Sequence, residues 1–212
     1  MFLYTIGSIG DCHPPLLPDG MSAYVSDSRS ESQERERLCA ASLLCTLLHA
    51  ADIRTDLTII RDKNGRPRFD SENAPDFNIS HSGGLCACIL GSLPVGIDIQ
   101  EEKPDLKPRR LAGRFFSPAE RKNMSAIASN TTDAFFTVWT KKEALGKYLG
   151  CGIAPVLGTD TREAPEKFGI TFGCEMFRYG DKVFCISTCA AEIPTFVVGE
   201  NSLSEFPPLS VK

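Results

Sequence analysis

Short apolar runs and helically spaced apolar residues follow one another along the first half of the chain. Between residues 31 and 51 the spacing of the apolar side chains is that of a helix. Runs rich in β-branched and aromatic residues, bounded by Gly, Pro, Asn and Ser, predict strands. These strands are predicted over residues 2–6, 57–60, 77–80, 85–90 and 94–100. The first half therefore combines one long helix with short strands.

The second half follows a similar order of elements, although the sequence itself does not repeat. Ser117, Pro118 and Glu120 stand where a helix N-cap, its first residue and a capping-box glutamate belong. Helices are predicted over about 118–129 and 132–149. Strands are predicted over 169–178, 182–189 and 196–198. Helices followed by antiparallel strands in both halves predict an α+β fold. We take residues 1–102 and 103–212 as the two halves.

Composition is that of an ordinary globular protein. The chain has 212 residues, of which 42% are hydrophobic and 24% charged, so neither disorder nor a fibrous repeat fits. A net charge of -4 disfavours a general nucleic-acid or membrane binder. No apolar run approaches the ~20 residues of a membrane span, and the N-terminus lacks a signal-peptide pattern. We therefore expect a soluble, cytoplasmic protein.

The nine cysteines are an odd number for a disulfide framework, and they include no C-x-x-C pair. With only three histidines in the chain, a structural zinc site would need several distant cysteines to converge. Free thiols in a reducing compartment are the simpler interpretation.

One segment departs from the acidic average. Residues 103–122, called the basic segment below, hold seven basic and two acidic side chains, a local balance of +5. The basic residues are Lys103, Lys107, Arg109, Arg110, Arg114, Arg121 and Lys122. Charge alone is compatible with a solvated loop and helix face or with a docking surface for an acidic partner.

An aspartate occurs in the predicted strand Gly96–Gln100, where this residue type is disfavoured. Strand alternation puts Asp98 and Gln100 on one face. A pair of side-chain oxygens on one strand face suits Mg²⁺, which binds one or two carboxylates and completes its shell with water and phosphate oxygens. A surface salt bridge at the end of a strand is the alternative for Asp98.

The predicted helix around residues 139–147 carries Trp139, Glu143 and Lys147 on one stripe, four residues apart. An ordinary solvent-facing Glu–Lys pair would have this spacing. A functional interpretation places Glu143 beside Asp98 on a metal ion and lets Lys147 reach a phosphate. A third candidate is the turn at residues 80–84, whose hydroxyls, histidine and glycines could face an anion.

Five motifs occur in order along the chain. They are G-R-P at 65–67, F-N-I-S-H-S-G at 77–83, V-G-I-D-I at 95–99, F-F-S-P-A-E at 115–120 and W-T-K-K-E-A-L-G-K at 139–147. In this order they resemble the motifs of the 4′-phosphopantetheinyl transferases. The chain length and the N-terminal half resemble the single-chain, Sfp-type branch rather than the short trimeric branch. The resemblance covers roughly residues 30–190.

The resemblance implies two similar α+β halves, related by a pseudo-twofold axis, with the active site and coenzyme A between them. The implied reaction is the Mg²⁺-dependent transfer of 4′-phosphopantetheine from coenzyme A to a serine of an acyl or peptidyl carrier protein, releasing adenosine 3′,5′-bisphosphate. The carrier would be acidic and bind transiently, which favours the basic segment as its docking surface. A monomer without nucleic-acid or membrane partners is expected.

Carried over by position, Asp98 and Glu143 are metal ligands. Gln100 stands where Sfp-type members often have a third carboxylate, so the affinity for Mg²⁺ stays open. Glu143 is also a candidate to accept the proton of the carrier serine, and a metal-bound water or Glu120 could share that task. Glu120 has an alternative role in a capping box. Lys147 is expected to stabilise charge on the departing phosphate.

The remaining implied contacts are to coenzyme A. Ser80 and His81 are expected to contact its phosphates, and Arg66 its nucleotide, where the family often has Lys. Arg37 on the first long helix is aligned more loosely and is a candidate for the 3′-phosphate.

Two other functions stay open at this point. A non-catalytic coenzyme A- or carrier-binding module could keep the same fold, although the intact set of Asp98, Glu143 and Lys147 disfavours it. A Mg²⁺-dependent phosphodiesterase or nuclease would need a denser acidic cluster than the sequence offers.

Overall fold

A computed structural model describes residues 1–13, 17–54, 57–103, 105–126 and 131–204. Within them the chain forms two units, each described by itself. The first unit comprises residues 1–95 and 194–204, and the second comprises residues 96–193. The division falls before residue 96 rather than after residue 102, because the strand that begins at Gly96 pairs with strands of the second unit.

The described residues form helices and strands, and the strands pair antiparallel except for β9, which runs parallel to β1. The helices are α1 Asp19–Ser26, α2 Glu31–Ala50, α3 Pro108–Phe115, α4 Pro118–Ala126, α5 Thr131–Tyr148 and α6 Ala164–Phe168, with a 3₁₀ turn at Ala154–Val156. The strands are β1 Phe2–Ser8, β2 Ile59–Arg61, β3 Pro67–Phe69, β4 Asp76–Ser82, β5 Leu85–Gly91, β6 Gly96–Glu101, β7 Thr171–Tyr179, β8 Lys182–Ala190 and β9 Thr195–Phe196.

In the first unit, α2 packs against a sheet of order β4-β5-β1-β9. The helix begins as its sequence predicts, because the hydroxyl of Ser30 accepts a hydrogen bond from the backbone N–H of Gln33 at 3.2 Å. Its buried stripe of leucines forms the core with apolar residues of the strands. Each such leucine contributes on the order of 1.5–3 kcal/mol when it leaves water.

The turn between β4 and β5 is shorter than the sequence predicts. Gly83 and Gly84 have φ values of 61° and 91°, and Ser82 pairs directly with Leu85. Two consecutive residues with positive φ form the tight hairpin turn that glycine favours. His81 therefore lies within β4 instead of the turn.

In the second unit, α5 packs on a sheet of order β6-β8-β7. Phe135 stacks between Phe116, at 5.1 Å between ring centroids, and Trp139, at 5.8 Å. These rings belong to the apolar core between α3, α4, α5 and the sheet. Trp139 is thus a packing residue rather than part of a polar site.

The α+β class predicted from the sequence is confirmed. The long helix, the main strands and the two helices of the second half lie where the periodicity predicts them, and the predicted extension of α4 to residue 129 lies outside the described residues. The sequence patterns do not predict α1, α3, α6 and β3, which are short or contain proline. All nine cysteines are free thiols. Within the described part of the chain, no helix is long and apolar enough to cross a membrane.

The contact between β6 and α5 depends on the missing side chain of Gly96. A Cβ atom there would overlap the carbonyl oxygen of Ala144 and lie 2.7 Å from the backbone nitrogen of Tyr148. We expect Gly96→Ala to lower the free energy of unfolding by about 2 kcal/mol, because added volume in a packed core strains the surrounding backbone. Urea denaturation monitored by circular dichroism measures the loss.

Gly113→Ala is the matched control. Gly113 lies in α3, and the structure places no heavy atom within 4 Å of a Cβ added there. This substitution should raise the free energy of unfolding by roughly 0.5–1 kcal/mol, since alanine has the better helix propensity. Equal free energies of unfolding for the two variants would contradict the close approach of β6 and α5.

Candidate functional site

Asp98 is a carboxylate buried in the second unit, with 2% of its surface exposed. Its Oδ1 accepts a hydrogen bond from Lys147 Nζ at 2.9 Å, and its Oδ2 accepts one from Gln100 Nε2 at 3.1 Å. Lys147 Nζ also donates to the carbonyl oxygen of Ile97 at 2.9 Å. A buried charge needs such partners, because removing it from water is costly.

The geometry of β6 and α5 brings these residues together. Alternation along β6 puts Asp98 and Gln100 on one face of the sheet. On the neighbouring strand β8 they pair with Ser187 and Cys185, respectively. α5 covers this face, where the hydroxyl of Thr140 lies 2.8 Å from that of Ser187. Asp98 thus lies in the sheet directly beneath α5, within reach of its side chains.

Glu143 lies one turn before Lys147 on α5. Burial raises the pKa of its carboxyl group, and so does the negative charge of Asp98, while Lys147 opposes both effects. Repulsion between Glu143 and Asp98 is expected when two carboxylates are close. The structure therefore brings together Asp98, Gln100, Glu143 and Lys147, while their roles toward a metal and a phosphate stay predictions.

The donor set of this cluster fits Mg²⁺ better than zinc. It offers two carboxylates and one amide, and no group of three or more His, Cys, Asp or Glu suited to a metal occurs among the described residues. Mg²⁺ binds through one or two carboxylates and keeps water and phosphate oxygens as its other ligands. Gln100 donates its amide N–H to Asp98, so in this arrangement it orients a carboxylate.

Glu120 is predicted as a catalytic residue, but its contacts belong to a different network. Its Oε2 accepts from the backbone N–H of Ser117 at 2.8 Å and pairs with Lys142 Nζ at 2.9 Å. Its Oε1 accepts from the backbone N–H and the hydroxyl of Thr161, at 2.9 and 3.0 Å. This is the capping box of α4, extended to α5 and to a loop. None of the contacts described for Glu120 involves Asp98.

In the first unit, Arg37 and His81 both line a cavity of about 240 Å³. Arg61 lines it too, and the guanidinium groups of Arg37 and Arg61 lie 5.2 and 5.5 Å from the ring centroid of Tyr24. Burial raises the pKa of Tyr24, which these two cations oppose. Two guanidinium groups make the cavity cationic, although Asp27 Oδ2 lies 3.3 Å from Arg37 Nη1 and Glu36 Oε2 lies 3.6 Å from His81 Nε2.

Ser80 and Arg66 are placed differently from these residues. Ser80 precedes His81 in β4, so strand alternation turns its side chain to the opposite face, where it is buried. Arg66 Nη2 lies 2.7 Å from Asp76 Oδ2 and donates to the carbonyl oxygens of Phe77 and Val95. Their contacts with coenzyme A stay predictions.

The sequence did not predict a role for Lys142, Thr161, Tyr24 or Arg61. Lys142 had a detectable signal, because it falls on the helical stripe of Val138 and Leu145, where an apolar residue is expected. The others had none, since their importance comes from segments that are distant in the sequence.

Comparison with known proteins agrees with this geometry. The family model of the 4′-phosphopantetheinyl transferase superfamily matches residues 94–187, which contain the Asp98 cluster and Glu120. The chain is 32% identical over 164 residues to the 4′-phosphopantetheinyl transferase AcpT of Salmonella typhi, covering 76% of this chain and 81% of that protein. It is 33% identical over 160 residues to a putative 4′-phosphopantetheinyl transferase of Haemophilus influenzae, covering 72% and 66%.

A third relative is the 4′-phosphopantetheinyl transferase Sfp of Bacillus subtilis, 34% identical over 102 residues. That match covers 48% of this chain and 45% of Sfp, and the chain spans 40% of another Bacillus subtilis 4′-phosphopantetheinyl transferase. The described fold and these matches show that the chain belongs to the 4′-phosphopantetheinyl transferase superfamily.

Lys147 is expected to stabilise the fold because it neutralises a buried carboxylate. The side chain of Lys147 is 26% exposed, so Lys147→Met should lower the free energy of unfolding by about 2 kcal/mol, less than the 3–5 kcal/mol of a fully buried pair. Urea denaturation at pH 7 measures this loss.

Lys182→Met is the matched control, because its partner Glu101 lies on the same strand as Asp98. Lys182 Nζ lies 3.2 Å from Glu101 Oε1, and its side chain is 42% exposed. Exposed ion pairs contribute about 0–1 kcal/mol, so this substitution should change little. Similar losses for both variants would show that burial of Asp98 does not set the strength of its ion pair.

Proposed function

We propose that this protein transfers the 4′-phosphopantetheine group from coenzyme A to a serine of an acyl or peptidyl carrier protein. The observation that carries the proposal is the convergence of Asp98, Gln100, Glu143 and Lys147 where β6 and α5 meet. Membership of the superfamily supports the same reaction. The finer assignment to the single-chain, Sfp-type branch rests on the resemblance in length and motifs.

The reaction is a phosphoryl transfer. The serine hydroxyl oxygen attacks the phosphorus that carries the pantetheine arm, and a new P–O bond forms. The P–O bond to the oxygen shared with the nucleotide phosphate breaks, and adenosine 3′,5′-bisphosphate leaves. Asp98 and Glu143 would hold Mg²⁺, and the bound ion would neutralise negative charge on the phosphate oxygens.

The residues of the second unit take distinct parts in this step. Glu143 is the candidate to accept the proton from the serine hydroxyl. Lys147 carries the ammonium group that can interact with a phosphate oxygen, and its partial exposure leaves it accessible. Gln100 holds the carboxylate of Asp98 in place through its amide.

The first unit offers cations for the nucleotide part of coenzyme A. Arg37 and His81 line the cationic cavity, so they are the proposed partners of phosphate groups there. Ser80 and Arg66 remain candidates by resemblance. The pseudo-twofold relation of the halves, and the place of the coenzyme between them, stay predictions as well.

The basic segment is the proposed docking surface for an acidic carrier protein. All seven of its basic side chains are exposed, and three of them, Arg109, Arg110 and Arg114, lie on α3. Complementary charge speeds the encounter and orients the partners without requiring a permanent complex. We further expect a cytoplasmic monomer.

The direct test uses coenzyme A with a fluorescent group on its thiol, Mg²⁺ and a panel of apo carrier proteins. The expected result is a fluorescent carrier, with the label on its serine by mass spectrometry. Glu143→Ala should abolish labelling while circular dichroism stays that of the wild type. Glu166→Ala, an exposed glutamate of α6, is the matched control and should keep the wild-type rate.

Two outcomes would contradict the proposed reaction, and a third would contradict the role of Glu143. Binding of coenzyme A or carrier without transfer would support a non-catalytic module. Hydrolysis of a phosphodiester without carrier labelling would support a phosphodiesterase. Wild-type transfer by a folded Glu143→Ala protein would refute the assignment of Glu143.

Charge reversal of Lys107, Arg109 and Arg110 to glutamate should weaken binding of the carrier protein and leave the affinity for coenzyme A nearly unchanged. We expect the KM for an acidic carrier to rise about tenfold, because the variant repels the surface that the wild type attracts. The effect should shrink at 1 M salt, where the Debye length falls to about 3 Å. Initial rates against carrier concentration at several salt concentrations measure it.

The control reverses one basic residue outside the segment, Lys167→Glu on α6, which should leave both substrates unaffected. A parallel loss of coenzyme A affinity in the triple variant would assign the basic segment to the nucleotide instead of the carrier.

A further inference from the structure

The second unit contains an ion pair that no solvent reaches. Lys142 Nζ lies 2.9 Å from Glu120 Oε2, and the two side chains are 0% and 1% exposed. Lys142 lies in the middle of α5, and Glu120 lies in the first turn of α4. Both residues stand outside the cluster around Asp98.

Every hydrogen-bonding position of this pair is filled. The three protons of the Lys142 ammonium go to Glu120 and to the carbonyl oxygens of Leu157 and Thr159. The two oxygens of Glu120 accept from Ser117, from Lys142 and twice from Thr161. A carboxylate with this set of partners has no lone pair left for a substrate proton.

The pair joins three segments of the second unit: the start of α4, the middle of α5 and the loop 157–162. A second ion pair reinforces the loop, since Arg162 Nη2 lies 2.7 Å from Asp160 Oδ2, which also accepts from the hydroxyl of Ser117. Arg162 holds the pKa of Asp160 well below its usual range. The loop therefore provides a fixed frame for Lys142.

The position of Lys142 within α5 links this fixed loop to the candidate site. Lys142 immediately precedes Glu143, and Lys147 lies five residues further on. Because successive residues of a helix are turned by about 100°, holding Lys142 against the loop sets the direction of Glu143 and Lys147. Apolar contacts alone tolerate small rotations of a helix, whereas a filled network of charged hydrogen bonds has one favourable geometry.

We infer that Lys142 and Glu120 are positioning residues, which fix the rotation of α5 and thereby hold Glu143 and Lys147 at the distance from Asp98 that the reaction needs. Glu120 acts through Lys142 and Glu143, not on the substrate. The inference rests on the proposed transferase function, and it assigns Glu120 a role different from the catalytic one that the resemblance suggests.

The mildest test is Thr161→Val, which removes one hydrogen bond to Glu120 and keeps both charges. Thr188→Val is the matched control, because Thr188 is also a buried hydroxyl residue of the second unit and lies outside the network. Lys142→Met, Glu120→Gln and the double variant complete the set. Melting temperature, kcat, the KM for coenzyme A and the half-saturating Mg²⁺ concentration are measured for each.

Loss of a direct partner of a metal ligand typically costs 10–100-fold in metal affinity or activity, and we expect loss of the contacts that orient the helix of Glu143 to act in the same range. We expect Thr161→Val to lower kcat and to raise the half-saturating Mg²⁺ concentration, each several-fold, with the KM for coenzyme A nearly unchanged. Lys142→Met and Glu120→Gln should each lower kcat, and raise the half-saturating Mg²⁺ concentration, by about tenfold or more. The double variant should lose no more than the more affected single variant, because the two residues act as one unit.

A second readout does not depend on turnover. Mn²⁺ binding, followed by the electron paramagnetic resonance of the free ion, should weaken in the network variants and stay unchanged in Thr188→Val. If the wild type transfers nothing to any carrier, the proposed function fails, and this binding measurement still decides whether the pair positions the cluster.

Two results would overturn the inference. Network variants that melt at lower temperature, but keep wild-type kcat and Mn²⁺ affinity when folded, would make the pair merely structural. A Glu120→Gln protein that binds Mn²⁺ normally and transfers nothing, beside an active Lys142→Met protein, would make Glu120 a catalytic residue.

Discussion

A carboxylate buried on a β-strand must be matched by positive charge, and the second unit is organised around this requirement at Asp98. Lys147 of α5 supplies the charge, so the helix has to lie directly against β6. Gly96 permits that approach because it has no side chain to keep the two backbones apart. Once α5 is there, Glu143 comes close enough to Asp98 for the two negative charges to interact. One electrostatic requirement thus assembles the candidate site.

The two lysines of α5 show how burial separates positioning from reactivity. Lys142 is fully buried, and all its donors are used, so it fixes its surroundings and cannot exchange partners. Lys147 is partly exposed, so its ammonium group can interact with an arriving phosphate. Buried ion pairs contribute little net stability. The role of the Lys142–Glu120 pair is therefore better understood as fixing the geometry of α5. The helix carries both functions because its residues point in different directions.

The first unit meets a different physical problem, which is to hold two guanidinium groups beside one cavity, although only that of Arg37 has Asp27 as a described acidic partner. The ring of Tyr24 offers a solution, because its face attracts the guanidinium groups of Arg37 and Arg61. Both groups line the same cavity as His81. Two guanidinium groups are thus held over one aromatic ring at the edge of this cavity. This agrees with membership of a superfamily whose reaction begins from coenzyme A, although the match of the family model lies in the second half of the chain.

The sequence by itself determined the features that depend on local periodicity: the α+β class, the start of α2 near residue 31, and the faces that carry Asp98 with Gln100 and Glu143 with Lys147. Backbone geometry fixes these periods, so they can be predicted from neighbouring residues. Contacts between distant segments were decided only by the tertiary structure. It paired Glu120 with a lysine in α5 and turned Ser80 away from the face of His81, because packing determines which side chains lose water together and must therefore satisfy one another.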